Sequence, residues 1–248
     1  MTQQQWNSFC NFRDQYKALC HQWANLAPLM APVQRQLLHD VDAGCPFETS
    51  VVYNMALDDV TSQDEIKLIV IGDNPGKEEQ LAKNNRYLVG SSGRNAEGFF
   101  RRNPELAINF RRNAIIMNKT PIHTAKTRQL LELAKKAGPD AERLLQESQR
   151  ECARLVARLH QDLGPTAELW LVGHSELKAR GIFQEYKAVL TQSYGDSSDW
   201  NRVFVYNHFS MSSFISDYNK FHREHPDMPL KDSLVQIGTR RRLEVFGR

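Results

Sequence analysis

Apolar residues near the N-terminus recur at intervals of three and four: Trp6, Phe9, Cys10, Phe12, Tyr16, Leu19, Trp23 and Leu26. That spacing lines one face of an amphipathic helix. Pro28 and Pro32 end it, and "VQRQLLHDV" from residue 33 makes a second helix. Residues 1–48 therefore read as a helical extension packed on a main domain at 49–248. "SVVYNMAL" at 50–57 has the composition of a strand.

The pattern changes at residue 67. "KLIVIG" (67–72), "NAIIMN" (113–118), "ELWLVG" (168–173) and "RVFVYN" (202–207) are short apolar runs without alternation. Such runs suit strands buried on both faces, in a parallel sheet covered by helices. Residues 127–162 read as two helices broken at Gly138-Pro139, and 175–190 as another. Strands alternating with helices predict a three-layer α/β/α sandwich with a mainly parallel central sheet. Ligands of such sheets bind beyond the carboxyl ends of the strands.

Composition narrows the class. A chain of 248 residues with 41% hydrophobic content can bury a sizeable core. The net charge of +3 is too mild to demand a nucleic-acid partner, and Arg101-Arg102, Arg111-Arg112 and Arg240–Arg242 read equally as solvated faces or phosphate contacts. No apolar run approaches the roughly 20 residues of a membrane span. "MTQQQWNSFC" is not a signal peptide, having no basic stretch before an apolar core. Cys10, Cys20, Cys45 and Cys152 are widely spaced with no CxxC pair, which predicts reduced packing thiols and no metal. The expectation is a cytoplasmic monomer without membrane contact, metal or cofactor.

Each strand ends in groups able to act on a ligand. The first gives Gly72-Asp73-Asn74-Pro75-Gly76; the second Asn118, then Lys119, Thr120, Pro121, Ile122 and His123; the third Gly173-His174-Ser175; the fourth Asn207-His208-Phe209-Ser210. Any one of these is an ordinary turn or cap; all four open on one edge. "GDNPGK" is too short for a nucleotide phosphate loop, since three residues separate its glycines and Glu78 follows Lys77. The turn can still offer backbone N–H groups to one phosphate.

In their order along the chain, GDNPG (72–76), LVGSSG (88–93), IIMN (115–118) and HFS (208–210) resemble the uracil-DNA glycosylase superfamily. The "NPG" triplet and the spacing from Asn118 to Pro121 look most like its single-strand-selective monofunctional type. "GDNPGKEE" and "YLVGSSG" look more like its iron–sulfur class, whose four spaced cluster cysteines are missing here. The resemblance spans roughly 66–215. It departs from the family at Leu88, where the base-stacking aromatic falls, and at Phe209, where the family carries Pro.

The resemblance implies hydrolysis of a base–deoxyribose bond in damaged or uracil-containing DNA, with the base taken out of the stack. Asn74 then positions the water; Asp73, one position early, is the alternative base. Asn118 pairs with the base edge, and His208 donates to the base as negative charge develops. Tyr87 is the stacking candidate, with Phe99 and Phe100 behind it. Gly72, Pro75, Gly76, Leu88 and Gly90 complete the base pocket. Ser210, Ser212 and Ser213 are candidate phosphate contacts, and Met211 or Phe214 a wedge into the stack. Neither Lys77 nor Lys119 is read as a lyase nucleophile. Two alternatives stay open: a catalytically degenerate nucleic-acid binder of the same fold, and a nucleotide or phosphate binder using the 72–76 turn.

Overall fold

A computed structural model describes all 248 residues, apart from the side chain of Met211. The four apolar runs are strands: β1 (Leu68–Gly72), β2 (Ala114–Asn118), β3 (Glu168–Val172) and β4 (Val203–Tyr206). All neighbours pair in parallel, in the order β2-β1-β3-β4. The chain steps from β1 to β2 on one side, then crosses to β3 on the other. The point where this order reverses lies between β1 and β3.

Alternation along the strands separates two apolar layers. Ile69, Ile71, Ile115, Met117, Leu169, Leu171, Val203 and Val205 face a core shared with α1 (Gln3–Ala24), α2 (Ala27–His39), α4 (Gln129–Ala137), α5 (Pro139–Leu163) and α6 (Gln184–Tyr194). Leu68, Val70, Ile116, Trp170, Val172, Phe204 and Tyr206 face the other core, with α3 (Ser91–Arg102), α7 (Ser213–Glu224) and α8 (Leu230–Phe246). The molecule is a three-layer α/β/α sandwich, as its strand pattern predicts. Phe9, Phe12, Tyr16, Cys20 and Trp23 of α1 are buried in the first core. Among the described residues no helix is long and apolar enough to cross a membrane.

The local readings hold unevenly. α4 and α5 break at Gly138-Pro139 as read, where Gly138 takes a positive φ that a side chain resists. The first helix stops at Ala24, ahead of Pro28, but the second starts at Ala27 rather than after Pro32. Pro28 sits in the first turn of α2, where a missing N–H costs nothing, and Pro32 is carried inside it. "SVVYNMAL" is not a strand. Val51 makes one isolated bridge to Ile122, and Asn54 then caps a short 3-10 turn at Met55–Asp59 by accepting from the Ala56 N–H. The helix read over 175–190 starts only at Gln184. Before it the chain doubles back, with the Phe183 N–H on the Glu176 carbonyl and Gly181 where a Cβ would overlap the Glu176 backbone.

Candidate functional site

The carboxyl ends of the four strands open into one cleft of about 1070 Å³. Its floor comes from β1 and β2. Gly72 pairs with Asn118 in register, so the next residues, Asp73 and Lys119, also lie side by side. Lys119 is fully buried, and its Nζ lies 2.6 Å from Asp73 Oδ1. The ammonium also donates to the Val172 carbonyl at 2.6 Å and lies over the Phe183 ring, 5.0 Å from its centroid. Burial lowers the Lys119 pKa against the pull of Asp73. Asp73 Oδ2 accepts from Thr127 Oγ1 at 3.3 Å. The chain leaves room for this pair because β3 is followed by Gly173, where a Cβ would overlap the Asp73 carboxylate.

Asn118 also lines the cleft, and a Cβ at Gly72 would strike its Oδ1. Its Nδ2 is buried with no hydrogen-bond partner among the described residues. An unmet buried donor costs about 1–3 kcal/mol, which a ligand group would recover. Asn74 is more committed: its Nδ2 donates to Thr124 Oγ1 (2.9 Å), the Thr124 carbonyl (3.1 Å) and the Pro75 carbonyl (3.2 Å). Only the amide oxygen is left to accept from a ligand or water.

The opposite wall comes from β4. The Ser210 N–H donates to His208 Nδ1 at 3.1 Å, so the neutral ring carries its proton on Nε2. Desolvation lowers the His208 pKa; Asp73 opposes that shift and Lys119 reinforces it. A neutral Nε2–H donor is thus the resting form. Ser213 holds the turn by donating to the carbonyls of His208 (2.5 Å) and Ser210 (3.0 Å). Phe209 is buried against Phe110 and Phe214, and its carbonyl accepts from Asn95 Nδ2 at 3.0 Å, which ties the turn to α3.

The remaining wall is the 87–93 segment. Leu88 lines the cleft with φ +52°, a left-handed conformation uncommon for leucine. Its N–H donates to Glu79 Oε1 (2.6 Å) and its carbonyl accepts from Arg111 Nη2 (2.7 Å). Gly93 packs where a Cβ would overlap that carbonyl. Glu79 also accepts from the Gly76 N–H at 2.8 Å, so one carboxyl bridges the β1 turn and the Leu88 segment. Burial raises its pKa to about 7 against these backbone donors.

The structure brings Asp73, Asn74, Gly76, Leu88, Gly90, Asn118, His208, Ser210 and Ser213 to one cleft. Gly72, Pro75, Tyr87 and Ser212 lie outside its lining. Tyr87 does not stack in the pocket. Its ring is 1% exposed, and its hydroxyl meets Tyr16 Oη (2.6 Å) and the Val52 carbonyl (2.5 Å). The Tyr87 N–H donates to Asn54 Oδ1, which helps turn the side chain inward. Phe99 and Phe100 are core residues beside Phe214 and Phe110, and Phe214 is too buried to wedge into a stack. Ser212 is exposed at φ +56°, and Met211 lies outside the described side chains. Pro75 serves through its carbonyl, which accepts from the Thr124 N–H at 3.3 Å and meets His123 Nδ1 at 2.9 Å.

Three contributors go beyond the sequence reading: Lys119 and His174, which it names only as strand-end groups without a role, and Glu79, which it misses. Lys119 is fully desolvated, and aligning "LIVIGD" with "AIIMNK" in parallel register finds its partner. Glu79 stands three residues after Gly76, the spacing by which a carboxyl reaches back to a turn's first N–H. His174 fills the wall after β3. It accepts from Arg241 at Nδ1 (3.0 Å) and donates from Nε2 to Glu244 (3.0 Å), and both partners lie on α8. Comparison of the chain with protein-family models, with curated proteins and with solved structures finds no match to any of them.

Proposed function

We propose that the protein is a monofunctional DNA glycosylase, which hydrolyses the N-glycosidic bond of uracil or a related deaminated base in the cytoplasm and acts as a monomer. One observation carries the reading: unspent hydrogen-bonding capacity on Asn118 and an Nε2–H donor on His208 line the same cleft at the reversal point of the sheet. Asn118 reads the polar edge of an extruded base. His208 donates to a base oxygen as the glycosidic electron pair moves onto the base, stabilising the anion as it leaves. A neutral imidazole suits this role, since it stabilises charge without first giving up a proton. Leu88 forms the apolar wall in place of an aromatic ring. The order of the short motifs along the chain, which resembles that of the uracil-DNA glycosylases, supports the same assignment.

The test uses labelled oligonucleotides carrying uracil, hypoxanthine or xanthine, incubated with purified protein and then treated with alkali. Strand scission at one modified base, appearing only after alkali, is the expected result. Scission before alkali would show lyase chemistry and overturn the monofunctional assignment. Intact strands with every base, in protein that still retards the oligonucleotide, would favour a non-catalytic binder.

A further inference from the structure

The positive charge of the chain is not spread evenly. Residues 88–112 hold five arginines and two glutamates, a net +3 that equals the net charge of all 248 residues. Helix α3 gathers most of it on one face. Arg94, Arg101 and Arg102 are exposed and take part in no ion pair among the described residues, while Glu97 is spent on Arg111 at 3.1 Å. Arg94 and Arg101 stand almost two turns apart, so they project on the same side, about 10 Å apart along the axis. Two glycines make room for the other guanidinium groups. A Cβ at Gly98 would meet Arg102 Nη1 at 3.1 Å, and one at Gly93 would meet Arg111 Nη2 at 3.1 Å. Arg102 therefore lies back over Gly98, toward the amino end of the helix. That end is in the cleft, whose lining includes Ser91, Ser92 and Arg94. It is also fixed there, by Asn95 Nδ2 on the Phe209 carbonyl at 3.0 Å. An ordinary solvated helix face interleaves both signs of charge. This one leaves three cations unanswered on a rigid element that starts in the cleft.

We infer that α3 is a phosphate track, which carries one strand of DNA outward from the cleft with its phosphates on Arg94, Arg101 and Arg102. The inference rests on the glycosylase reading for the base that the strand delivers, and goes beyond it by assigning where the flanking strand lies. The spacing fits a polymer. Phosphates of one B-form strand follow at about 3.4 Å along the axis, so the ~10 Å from Arg94 to Arg101 spans about three of them. A single nucleotide held in the cleft would reach Arg94 and leave the other two arginines idle. Contacts of this kind fix register and supply affinity without reading sequence. They suit a protein that must hold a strand while one base is turned into the cleft.

The experiment measures oligonucleotide affinity against salt concentration for wild type and two triple variants. The track variant carries Arg94→Gln, Arg101→Gln and Arg102→Gln. The control carries Arg143→Gln, Arg154→Gln and Arg158→Gln on α5, and so removes the same charge from the opposite layer of the sandwich. Glutamine matches arginine in helix propensity, so the melting temperatures should stay together. The probe is a uracil-containing single strand, with dUMP as the single-nucleotide comparison. Each phosphate contact on a single strand adds about 0.7 to the slope of log affinity against log salt, so the track variant should lose about 2 and the control nothing. Neutral methylphosphonates placed on one side of the uracil should weaken binding to wild type and leave the track variant unmoved. An unchanged slope in the track variant, or an equal loss in the control, makes α3 an ordinary solvated face and overturns the inference. So does dUMP bound as tightly as the oligonucleotide. Base release is read separately: if wild type shows the track but releases no base, the glycosylase reading fails and the track stands. Base release by wild type together with a full slope in the track variant overturns the track alone.

Discussion

The two edges of the sheet bury the same kinds of polar residue and treat them differently. At the amino edge, where β3 and β4 begin, His160 Nδ1 meets Tyr194 Oη at 2.6 Å and Nε2 accepts from Arg202 Nη1 at 3.0 Å. Arg202 also donates to the carbonyls of Gly164 (2.5 Å) and Ala167 (2.7 Å) and pairs with Asp199 at 2.6 Å. Burial and the Arg202 charge push His160 down to about 3. At the carboxyl edge, Asn118 Nδ2 and His123 Nε2 are buried without partners among the described residues, and His208 keeps an N–H free. A closed network stabilises and specifies a fold. An open one is stable only because the rest of the fold over-determines it, and the capacity left over is what a ligand can use.

The sharpest way to break this contrast is to remove one residue from each edge. His208→Ala should lower base release by about 10²–10³-fold, the usual loss for one charge-stabilising donor, with the melting temperature almost unmoved. Arg202→Ala should do the opposite. It strands Asp199, two carbonyls and the His160 acceptor, at a cost of roughly 3 kcal/mol read from the urea midpoint. Its turnover per folded molecule should match wild type. If His208→Ala melts as early as Arg202→Ala, the histidine is packing and the two edges are alike.

The contrast also explains what could be read from the chain. β1 to β4 were legible because both faces of each strand are buried, which leaves an uninterrupted apolar run. Asn118 and His208 were legible as candidates because strand ends are marked by the same runs. The direction of Tyr87 was not. Its orientation is set by Asn54 and Tyr16, 33 and 71 residues away in sequence, and no local pattern records such partners. Helix α3 was hidden by Gly93 and Gly98, which weaken its helical signal; Gly93 is placed by its close approach to the Leu88 carbonyl, which no helical pattern records. The Asp73–Lys119 pair lay between: invisible in either motif alone, and visible once the strands are set in register.

A smaller effect tests the wall that Glu79 ties together. Its folded pKa is raised from 4.5 to about 7, so the folded state binds a proton that the unfolded chain releases. That contribution is fully present below pH 4.5 and is lost as pH rises through about 7. His123, lowered to about 4, and His160, lowered to about 3, act in the opposite sense, adding stability as pH climbs toward 6.5. The difference between wild type and Glu79→Gln isolates the carboxyl. It should shrink by roughly 2–3 kcal/mol between pH 4.5 and 7.5, measured by urea unfolding at each pH. A flat difference would mean that the carboxyl is ionised throughout, held by the Gly76 and Leu88 N–H groups.

The smallest expected change concerns Tyr87, and it separates a core tyrosine from a stacking one. The phenol lies between Tyr16 Oη and the Val52 carbonyl, buried on the α1 side of the Leu88 segment. Tyr87→Phe keeps the ring and deletes only the hydroxyl. A stacking platform would not feel that change, because phenylalanine offers the same aromatic face. A core tyrosine would: the Val52 carbonyl loses its donor and the Tyr16 hydroxyl its acceptor, both out of reach of water. The expected outcome is a loss of about 1 kcal/mol in urea unfolding, with oligonucleotide affinity and base release unchanged. Unchanged stability would return Tyr87 to the cleft. It would then be the ring, not Leu88, that meets the base.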